Sequence, residues 1–386
     1  MDKYDVIVLG AGPAGATAAR CCAEKNLKTL LLEKDTIPRE KRCAGGVSNG
    51  AIAELGFDLP EELIERRCRG MMAVQGKIRN QVKSADFVAT MVTRSKFDAF
   101  LTSLAVKAGA ELRAGEPCDA VKREAGCVKV ITGRSEYSAN IVIGADGVYS
   151  KVTKLVRPPF CQNELRYCII AEIPMTKAEI DKFMPDFVEL HYGYIDMGYA
   201  WLFPKKDYIS AGVAGAFKQG KGLKENFIKF LALHKLDTGV KLKGCLIPMT
   251  DFKNNIFSDR LMLAGDAGGL VDCFSGEGIR FAVASGKMAA ATAAEAHQKN
   301  DFNANCLKSY QDRFYAEFRD DLKVSASLTR YSFRFPNLLL GTLIINNEVI
   351  QEYYKVMSGK LSFKKFAGGI IKKLPYYLLK RIFTKP

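Results

Sequence analysis

The first part of the chain alternates short apolar runs with a helical pattern. Residues 4–9 (YDVIVL) form an apolar run that ends at a glycine, and residues 28–32 form a second such run. Residues 13–25, which lie between them, are mostly small and follow the period of a helix. A strand, a helix and a strand in this order predict a βαβ unit with a parallel sheet.

Similar signals recur further along the chain. Residues 94–107 have helical spacing, and residues 277–297 predict an alanine-rich helix. Residues 141–143 and 261–263 predict short buried strands, each followed by glycine and aspartate. From about residue 303 onward the pattern is mostly helical.

Residues 160–255 have a different pattern, in which β-prone residues alternate and turn residues separate the runs. The segments that predict strands are residues 167–173, 187–192, 199–203 and 208–213. Lys205-Lys206-Asp207 predicts the connection of a hairpin. This part of the chain is therefore expected to form an antiparallel sheet.

Composition and charge narrow the class of protein. The 386 residues are 48% hydrophobic and 26% charged, which is typical of a globular protein with room for two or three domains. The net charge of +15 suits an anionic partner such as a membrane surface, a nucleic acid or an acidic cofactor. The eleven cysteines include no CxxC pair, so we expect reduced thiols in the cytoplasm and no metal site. No apolar run reaches the roughly 18 residues of a membrane span.

A glycine-rich motif follows the first predicted strand and opens the first predicted helix. In Gly10-Ala-Gly12-Pro-Ala-Gly15, the first glycine permits a tight turn, the second lets the backbone approach a pyrophosphate, and the third lets helix and strand pack closely. Glu33 ends the second predicted strand, where an acid can accept hydrogen bonds from ribose hydroxyls. Together these features predict dinucleotide binding; a turn without a ligand is the alternative.

Three further stretches contain aspartate together with arginine or glycine in motif-like spacing. They are Arg94-Ser-Lys-Phe97-Asp98, Gly144-Ala-Asp146-Gly147-Val-Tyr-Ser150, and Gly265-Asp266-Ala267-Gly268 followed by Gly276-Glu277-Gly278-Ile279. They resemble motifs of the flavoproteins related to p-hydroxybenzoate hydroxylase, and within that group the chain resembles the geranylgeranyl reductase family over roughly residues 1–300. The resemblance implies FAD as cofactor, with Arg94 near the flavin nucleotide and Asp266 on the ribityl chain. Gly278 and Ile279 are expected to begin a helix aimed at the flavin ring, whose N-terminus stabilises negative charge on the reduced ring.

The segment Arg42-Cys43-Ala44-Gly45-Gly46 resembles the reductases' CxGG or CAxG segment, which lies beside the flavin. Its glycines are expected to let backbone N–H groups approach the cofactor. Cys43 is a candidate proton donor or gate near the reacting alkene, and a small, inert, buried cysteine is the alternative.

The stretch GYAWLFP resembles the family's PxxYxWxFP fingerprint at Tyr199, Trp201, Phe203 and Pro204, with Asp196 in place of the first proline. Successive side chains of a strand point to opposite faces, so the three aromatic rings are expected to share one face. Alternating aromatics are common in ordinary cores. Beside a flavin domain, Tyr199 and Trp201 are instead expected to line an apolar cavity for a polyprenyl chain, with Phe203 as further packing.

These inferences define the candidate site. The catalytic candidates are Cys43, Tyr199 and Trp201, and the substrate-binding candidates are Tyr199, Trp201 and Phe203. The cofactor-binding candidates are Gly10, Gly12, Ala14, Gly15, Glu33, Arg42, Cys43, Ala44, Gly45, Gly46, Arg94, Cys118, Asp146, Asp266, Gly276, Gly278 and Ile279.

The expected fold is α/β, with a discontinuous Rossmann-type FAD-binding domain interleaved with an antiparallel β-sheet substrate domain and followed by a helical region. Residues 1–65, 88–160 and 255–300 are assigned to the FAD-binding domain, and residues 66–87 and 161–254 to the β-rich domain. Residues 301–386 are assigned to the C-terminal helical region.

The basic, aromatic end of the chain raises a further expectation. Residues 351–386 contain eight lysines, one arginine and one glutamate, a net charge of +8. Basic residues among aromatics and leucines suit an anionic membrane surface, and a solvated helical surface is the alternative. We expect a cytoplasmic protein, peripheral at the cytoplasmic face of the membrane.

The resemblance implies a reductase that saturates C=C bonds of a polyprenyl chain, by hydride from flavin N5 and a proton from Cys43, Tyr199 or water. The electron donor is expected to be NAD(P)H or a ferredoxin-like protein, and no nucleic-acid partner is expected. The rival functions are a flavin monooxygenase of an aromatic substrate, a membrane-associated flavin:quinone electron-transfer protein, and a flavin-binding scaffold without turnover.

Overall fold

The chain begins with the βαβ unit that its apolar pattern predicts. β1 (Asp2–Leu9), α1 (Pro13–Ala23) and β2 (Thr29–Glu33) follow one another, and the two strands are parallel. All five residues of β2 are buried, in agreement with the run of three leucines at its centre. The computed structural model describes residues 2–195, 197–217, 220–336 and 338–383.

The contacts divide the chain into two units. Unit 1 comprises Met1–Lys41, Arg94–Cys161 and Pro248–Leu322, and unit 2 comprises Arg42–Thr93, Gln162–Ile247 and Lys323–Pro386.

Unit 1 is built on a mainly parallel eight-stranded sheet. Its other strands are β8 (Glu111–Ala114), β9 (Cys118–Glu124), β10 (Cys127–Thr132), β11 (Glu136–Gly144), β17 (Phe257–Ser258) and β18 (Leu261–Leu263). Its other helices are α3 (Arg94–Lys107), α4 (Thr153–Val156), α7 (Ile279–Lys299) and α8 (Ala304–Phe314). The strand order is β17-β18-β11-β1-β2-β8, and the β9–β10 hairpin extends from β11.

The parallel arrangement explains why the predicted nucleotide motifs converge. β1 pairs in parallel with β11, and β11 pairs in parallel with β18. The carboxyl ends of these three strands therefore lie at one edge of the sheet, and each is followed by one glycine-rich motif. α1 and α7 pack closely, because a Cβ on Gly286 would overlap the carbonyl oxygen of Ala14.

Unit 2 is built on a seven-stranded sheet in the order β16-β12-β15-β14-β13-β5-β6. These strands are β5 (Gly70–Gln75), β6 (Ile78–Lys83), β12 (Leu165–Pro174), β13 (Phe187–Tyr192), β14 (Tyr199–Pro204), β15 (Tyr208–Ala216) and β16 (Lys243–Pro248). The four predicted strands and the hairpin connection at residues 205–207 are confirmed. The antiparallel sheet predicted for residues 160–255 is confirmed, because β12–β15, β13–β14 and β14–β15 are antiparallel pairs. β5 joins this sheet as a parallel neighbour of β13. β5 comes from an earlier part of the chain, so no hairpin joins the two strands.

A three-stranded sheet accounts for the other strands of unit 2. It has the order β3-β7-β4, formed by β3 (Gly46–Ser48), β4 (Ile64–Cys68) and β7 (Ala89–Val92). The unit boundaries therefore differ from the predicted domain boundaries, since residues 42–65 and 88–93 belong to unit 2. Strand pairing between these segments joins them to one another, which the spacing of apolar residues did not reveal.

The remaining elements are helices. They are α2 (Asn49–Leu55), α5 (Lys177–Phe183), α6 (Gly220–Leu233), α9 (Asp320–Arg334), α10 (Leu339–Ile344), α11 (Asn347–Met357) and α12 (Phe363–Phe383). The predicted helical end of the chain is confirmed, although the division into units falls within it, after Leu322. Among the described residues, none of the helices combines the length and hydropathy of a membrane span.

The two faces of the seven-stranded sheet carry different side chains. Ala200 and Leu202 of β14 pack on the face covered by α6, together with Phe227 and Phe230 of that helix. Tyr199 and Trp201 lie on the opposite face. We call this second face of the sheet the aromatic face.

Candidate functional site

The glycine motif of unit 1 has the backbone geometry that phosphate binding requires. Gly10 has a φ of +94°, and a Cβ there would lie 2.5 Å from the carbonyl oxygen of Ala145. A Cβ on Gly15 would overlap the carbonyl oxygen of Gly10. Gly12 caps the N-terminus of α1, and among the described residues a Cβ on it would have only Arg39 within 4 Å, at 3.8 Å from Nη2. The backbone is therefore tightly packed at Gly10 and Gly15, whereas space remains next to Gly12 at the N-terminus of α1. A pyrophosphate bound to the backbone N–H groups needs this space.

A network of charged side chains lies beside this motif. Oε2 of the buried Glu33 accepts a hydrogen bond from the N–H of Ala11 at 2.8 Å and pairs with Nε of Arg39 at 3.1 Å. Nη1 of Arg39 reaches Oδ2 of Asp98 at 3.0 Å, and Arg94 donates two hydrogen bonds to the same carboxylate at 2.8 and 3.1 Å. Arg39 was not among the sequence candidates. The sequence shows that Arg39 follows Glu33 by six positions, but several other lysines and arginines lie in the same stretch, so its position alone does not identify it.

Asp146 has a buried carboxylate that the protein satisfies only in part. Its Oδ2 accepts a hydrogen bond from the N–H of Lys151 at 2.8 Å, and no described residue is a partner for its buried Oδ1. Burial raises the pKa of Asp146 above its usual range. The same carboxylate contributes to raising the pKa of Cys118 to about 12, of which burial is the main cause, so Cys118 is a neutral thiol.

The motif formed by residues 265–268 and 276–279 lies beside the N-termini of two helices, α1 and α7. Gly265 has a φ of +58°, and a Cβ there would lie 3.1 Å from Cβ of Ala14 in α1. Gly278 caps α7, which begins at Ile279, and a Cβ on Gly278 would lie 3.6 Å from Oδ1 of Asp266. Gly276 has a φ of +71°, which favours glycine in the turn before the helix. The 21-residue α7 thus presents its N-terminus beside the carboxylate of Asp266.

Unit 1 therefore brings together the predicted residues of the nucleotide-binding motifs. An open helix N-terminus, a buried acid at the end of β2 and a buried carboxylate oxygen without a partner among the described residues lie at one edge of its sheet. These groups supply the donors and acceptors that the pyrophosphate and the hydroxyls of FAD require, so the residues fit this cofactor.

Unit 2 brings the Cys43–Gly46 segment to the aromatic face. Ala44 packs against the cluster that contains Trp201, and a Cβ on Gly46 would lie 3.1 Å from Cε2 of Phe203. The N–H of Gly45 points to Sγ of Cys43 at 3.4 Å. At the start of the segment, Nη1 of Arg42 donates a hydrogen bond to the carbonyl oxygen of Gly244 at 2.6 Å.

The three aromatic side chains of β14 form a row on this face. The ring centroids of Tyr199 and Trp201 are 6.0 Å apart, and those of Trp201 and Phe203 are 6.4 Å apart. Trp201 is 5% exposed, and its indole lies against Gly212 of β15 so closely that a Cβ there would overlap the ring. Its buried Nε1 has no hydrogen-bond partner among the described residues. Tyr199 and Phe203 are only half-buried.

The histidine of β13 lies on the opposite face of the same sheet. His191 is fully buried, its Nε2 lies 2.8 Å from Oε2 of Glu189, and its ring contacts Phe230 of α6 at a centroid distance of 5.0 Å. Burial lowers the pKa of the neighbouring His234 to about 4. Because His191 lies on the face opposite Trp201, it is not a proton donor at the aromatic face.

A second residue that the sequence did not single out is Lys205, directly after the aromatic fingerprint. It is 1% exposed and donates hydrogen bonds to backbone carbonyls of the Cys43–Gly46 segment and of β7. Asp196, the departure from the fingerprint, lies outside the described residues.

Comparisons with known proteins agree with this geometry. The family model of FAD dependent oxidoreductases matches residues 5–148. Digeranylgeranylglycerophospholipid reductases from Methanocaldococcus jannaschii and Thermoplasma acidophilum are 32% and 30% identical to the chain, over 81% of it in both cases and over 82% and 83% of their own lengths. The crystal structure of a geranylgeranyl bacteriochlorophyll reductase-like protein from Thermoplasma acidophilum has the same fold, with a TM-score of 0.82, 24% identity and 98% of both chains covered.

The fold and the nucleotide-binding motifs of unit 1 thus define an FAD-dependent oxidoreductase, with FAD as its cofactor. Within that class, the chain belongs to the digeranylgeranylglycerophospholipid reductase family.

Proposed function

We propose that this protein saturates C=C bonds in the polyprenyl chains of a lipid or lipid precursor. The observation that carries the proposal is the aromatic face of unit 2, on which Tyr199, Trp201 and Phe203 form a row beside the Cys43–Gly46 segment. Apolar and aromatic side chains suit a hydrocarbon ligand. The relatives are named as reductases of digeranylgeranylglycerophospholipids, and we infer the same class of substrate here.

The residues of unit 1 are proposed to hold FAD. The N-terminus of α1 at Gly12 suits the pyrophosphate, and Glu33 suits the ribose hydroxyls. Asp266 lies beside Gly278, the N-cap of α7, and is proposed to contact the ribityl chain. These roles account for the open backbone at Gly12 after β1, the buried Glu33 at the end of β2 and the carboxylate of Asp266 after β18.

Saturation of an isolated alkene needs a hydride equivalent, which FAD supplies when it is bound and reduced, and a proton. An isolated alkene accepts hydride poorly, so a placed acid is required. We propose Cys43 as the proton donor, with Tyr199 as the alternative. Tyr199 packs at the aromatic face, Cys43 directly precedes Ala44, which packs there too, and neither Cys43 nor Tyr199 is fully buried.

The test is a single-turnover reaction without oxygen. The FAD-loaded protein is reduced with dithionite and mixed with a digeranylgeranylglycerophospholipid, and the lipid is analysed by mass spectrometry. We expect reoxidation of the flavin together with the gain of two hydrogen atoms for each bond reduced. NADPH and a reduced ferredoxin can then replace dithionite to identify the electron donor.

Two outcomes would exclude the proposal in favour of a rival. Hydroxylation of an aromatic acid in the presence of oxygen, with the lipid unchanged, would indicate a monooxygenase. Rapid reduction of a quinone without any saturated lipid would indicate an electron-transfer protein.

The role of Cys43 can be tested separately. Cys43→Ala is expected to lower the rate of lipid saturation by about a hundredfold, since general acid catalysis contributes about this much, while FAD binding stays unchanged. Cys245→Ala, at a second half-buried thiol beside the aromatic face, is the matched control. Equal rates for the two variants would exclude Cys43 and favour Tyr199.

We also propose that α12 attaches the protein to an anionic membrane surface. One side of this helix is buried at Phe363, Phe366 and Ile370, whereas Ile371 is 69% exposed and Leu379 is 57% exposed. Exposed lysines surround these residues at positions 364, 365, 372, 373 and 380. Exposed apolar side chains among basic residues suit the interface of an anionic bilayer, where the lipid substrate resides.

Vesicle flotation tests this attachment. The protein is expected to float with vesicles that contain phosphatidylglycerol and to remain in the dense fraction with pure phosphatidylcholine. The double variant Ile371→Ser, Leu379→Ser should lose flotation, whereas Leu233→Ser, at a leucine of α6 that is 64% exposed, should keep it. Unchanged flotation of the double variant would show that α12 is a solvated helix.

A further inference from the structure

Lys205 is a lysine in an unusual place. Its side chain is 1% exposed, although lysine is almost never fully buried unless it is paired. Nζ donates hydrogen bonds to the carbonyl oxygens of Gly45, at 3.1 Å, and of Val92, at 2.9 Å. Burying a charged group is costly, so a lysine kept here needs a reason other than stability.

The two carbonyl groups belong to segments that Lys205 joins. Gly45 lies in the Cys43–Gly46 segment, and Val92 is the last residue of β7. The carbonyl oxygen of Gly45 also accepts a hydrogen bond from the N–H of Val92 at 2.8 Å. The ammonium group therefore completes a small network that ties the turn at Gly45 to the end of β7.

The turn at Gly45 is built around the ammonium group. Gly45 has a φ of +67°, which favours glycine. A Cβ on it would overlap the carbonyl oxygen of Val92 and would lie 2.8 Å from Nζ of Lys205. The N–H of the same glycine points to Sγ of Cys43 at 3.4 Å. The ammonium group of Lys205, which holds Gly45, thus also determines the position of the Gly45 N–H that points to Sγ of Cys43.

The surroundings of Lys205 bring its pKa close enough to neutral pH for its charge to change with pH. Burial lowers the pKa of Lys205 to about 8, and the charged or titratable groups that oppose this effect are Cys43, Glu65, Cys68 and Glu172. Arg66 donates from Nε to the backbone carbonyl of Lys205 at 3.3 Å. The hydroxyl of Thr93 donates a hydrogen bond to Oε1 of Glu65 at 2.8 Å and lies 3.1 Å from the hydroxyl of Tyr208.

We propose that Lys205 is a positioning residue for the reductase reaction, whose buried ammonium holds the turn at Gly45 and, through it, the thiol of Cys43 beside the aromatic face. This inference rests on the proposed function for its catalytic consequence. The structural part, that the ammonium orders the Cys43–Gly46 segment, stands without it.

Hydrogen exchange tests the structural part, and it needs no substrate. In Lys205→Met the stem is kept and the hydrogen bonds are lost. Peptides that cover residues 42–48 and 89–93 are expected to exchange about tenfold faster, because hydrogen bonds from a charged group contribute roughly 1.4 kcal/mol or more. Lys206→Met, at the exposed neighbouring lysine, should exchange as the wild type does. Unchanged exchange in Lys205→Met, or faster exchange throughout unit 2, would overturn the proposal.

The pH profile tests the catalytic part. The rate of lipid saturation by the wild-type protein should fall as pH rises through about 8, where the ammonium loses its proton. Lys205→Arg keeps the charge at all these pH values and should move this fall to higher pH. Lys205→Met should turn over slowly at every pH while it binds FAD normally. A wild-type profile that is flat through pH 8, or full activity in Lys205→Met, would overturn the role in catalysis.

The exchange experiment and the pH profile distinguish failure of the proposed function from failure of the proposed role of Lys205. If the protein saturates no prenyl lipid, the proposed function fails and the exchange result still decides whether Lys205 orders the segment. If the variants do not fold, the exchange of the wild-type peptides is compared at pH 7 and pH 9 after correction for the intrinsic rate. Opening that frees Lys205 lets it take up a proton, so protection of residues 42–48 and 89–93 should increase as pH rises through about 8. Protection that is the same at both pH values would overturn the proposal.

Discussion

Arg39 and Lys205 are two largely buried cations that bond residues of the predicted motifs. Arg39 pairs with Glu33 and Asp98 in unit 1, and Lys205 bonds two carbonyls in unit 2. Both are withdrawn from water, so each hydrogen bond that they make is stronger than it would be at the surface. Neither belongs to a motif that could be recognised by spacing.

Arg39 should contribute to FAD binding. Its Nη2 is the side-chain atom nearest to the space above Gly12, at the N-terminus of α1. Arg39→Met is expected to weaken FAD binding by about tenfold to a hundredfold, since a hydrogen bond to a charged group contributes about 1.5–3 kcal/mol. Arg20→Met, near the other end of α1, is the control. Titration calorimetry with FAD measures both, and equal dissociation constants would contradict the prediction.

Lys205 should also make stability depend on pH. Its pKa is about 8 in the folded protein and 10.5 for an ordinary lysine, so the unfolded state binds more protons between these values. The free energy of unfolding should therefore rise with pH in this window, by roughly 3 kcal/mol at most. Denaturant unfolding of the wild type and of Lys205→Met, at pH 7 and pH 10, isolates this contribution. A difference between the two proteins that does not change with pH would contradict it.

At the scale of elements, the pairing of β14 with β15 decides where the aromatic side chains lie. Trp201 pairs with Gly212, and Tyr199 pairs with Ala214. Small residues on β15 leave space for the large rings of β14, so the indole of Trp201 packs directly against the backbone of Gly212. The alternation of β14 alone shows that the rings share a face, and the register with β15 shows why the indole is buried.

The only tryptophan of the chain makes this packing measurable. Gly212→Ala should displace the indole, shift its emission to longer wavelength and lower the free energy of unfolding by about 1–3 kcal/mol, the usual cost of overpacking. Gly222→Ala, in α6, has no atom of the described part of the chain within 4 Å of the added Cβ and should leave the emission unchanged. Spectra are compared at equal FAD occupancy, and an unshifted Gly212→Ala spectrum would contradict the packing.

At the scale of the whole molecule, charge is distributed unevenly along the chain. Residues 351–386 carry +8 of the net +15. Part of this charge is compensated within α11 and α12, where Lys373 pairs with Glu348, but exposed lysines remain along α12. A basic surface of this kind is attracted to anionic lipid over about one Debye length.

Salt should therefore release the protein from anionic vesicles. Raising the ionic strength from about 0.05 M to about 0.5 M shortens the Debye length from roughly 14 to roughly 4 Å and should remove most of the bound protein. Lys364→Gln, Lys365→Gln should already bind more weakly at low salt, whereas Lys34→Gln, at an exposed lysine of unit 1, should not. Binding that is insensitive to salt would show that apolar contacts alone hold the protein.

The sequence by itself determined the local elements and the cofactor class. Apolar period and glycine position identified β1, α1, β2 and α3, because helices and strands depend mainly on neighbours in sequence. The motifs at Gly10, Asp146 and Asp266 pointed to FAD, because parallel strands bring their carboxyl ends to one edge wherever they lie in the chain.

Only the tertiary structure decided the parallel pairing of β13 with β5, the membership of residues 42–65 in unit 2, and the burial of Lys205 against Gly45. Each depends on contacts between segments far apart in sequence, whose register no local pattern contains. The same is true of the faces of the sheet, where one position along β13 separates His191 from the side that carries Trp201.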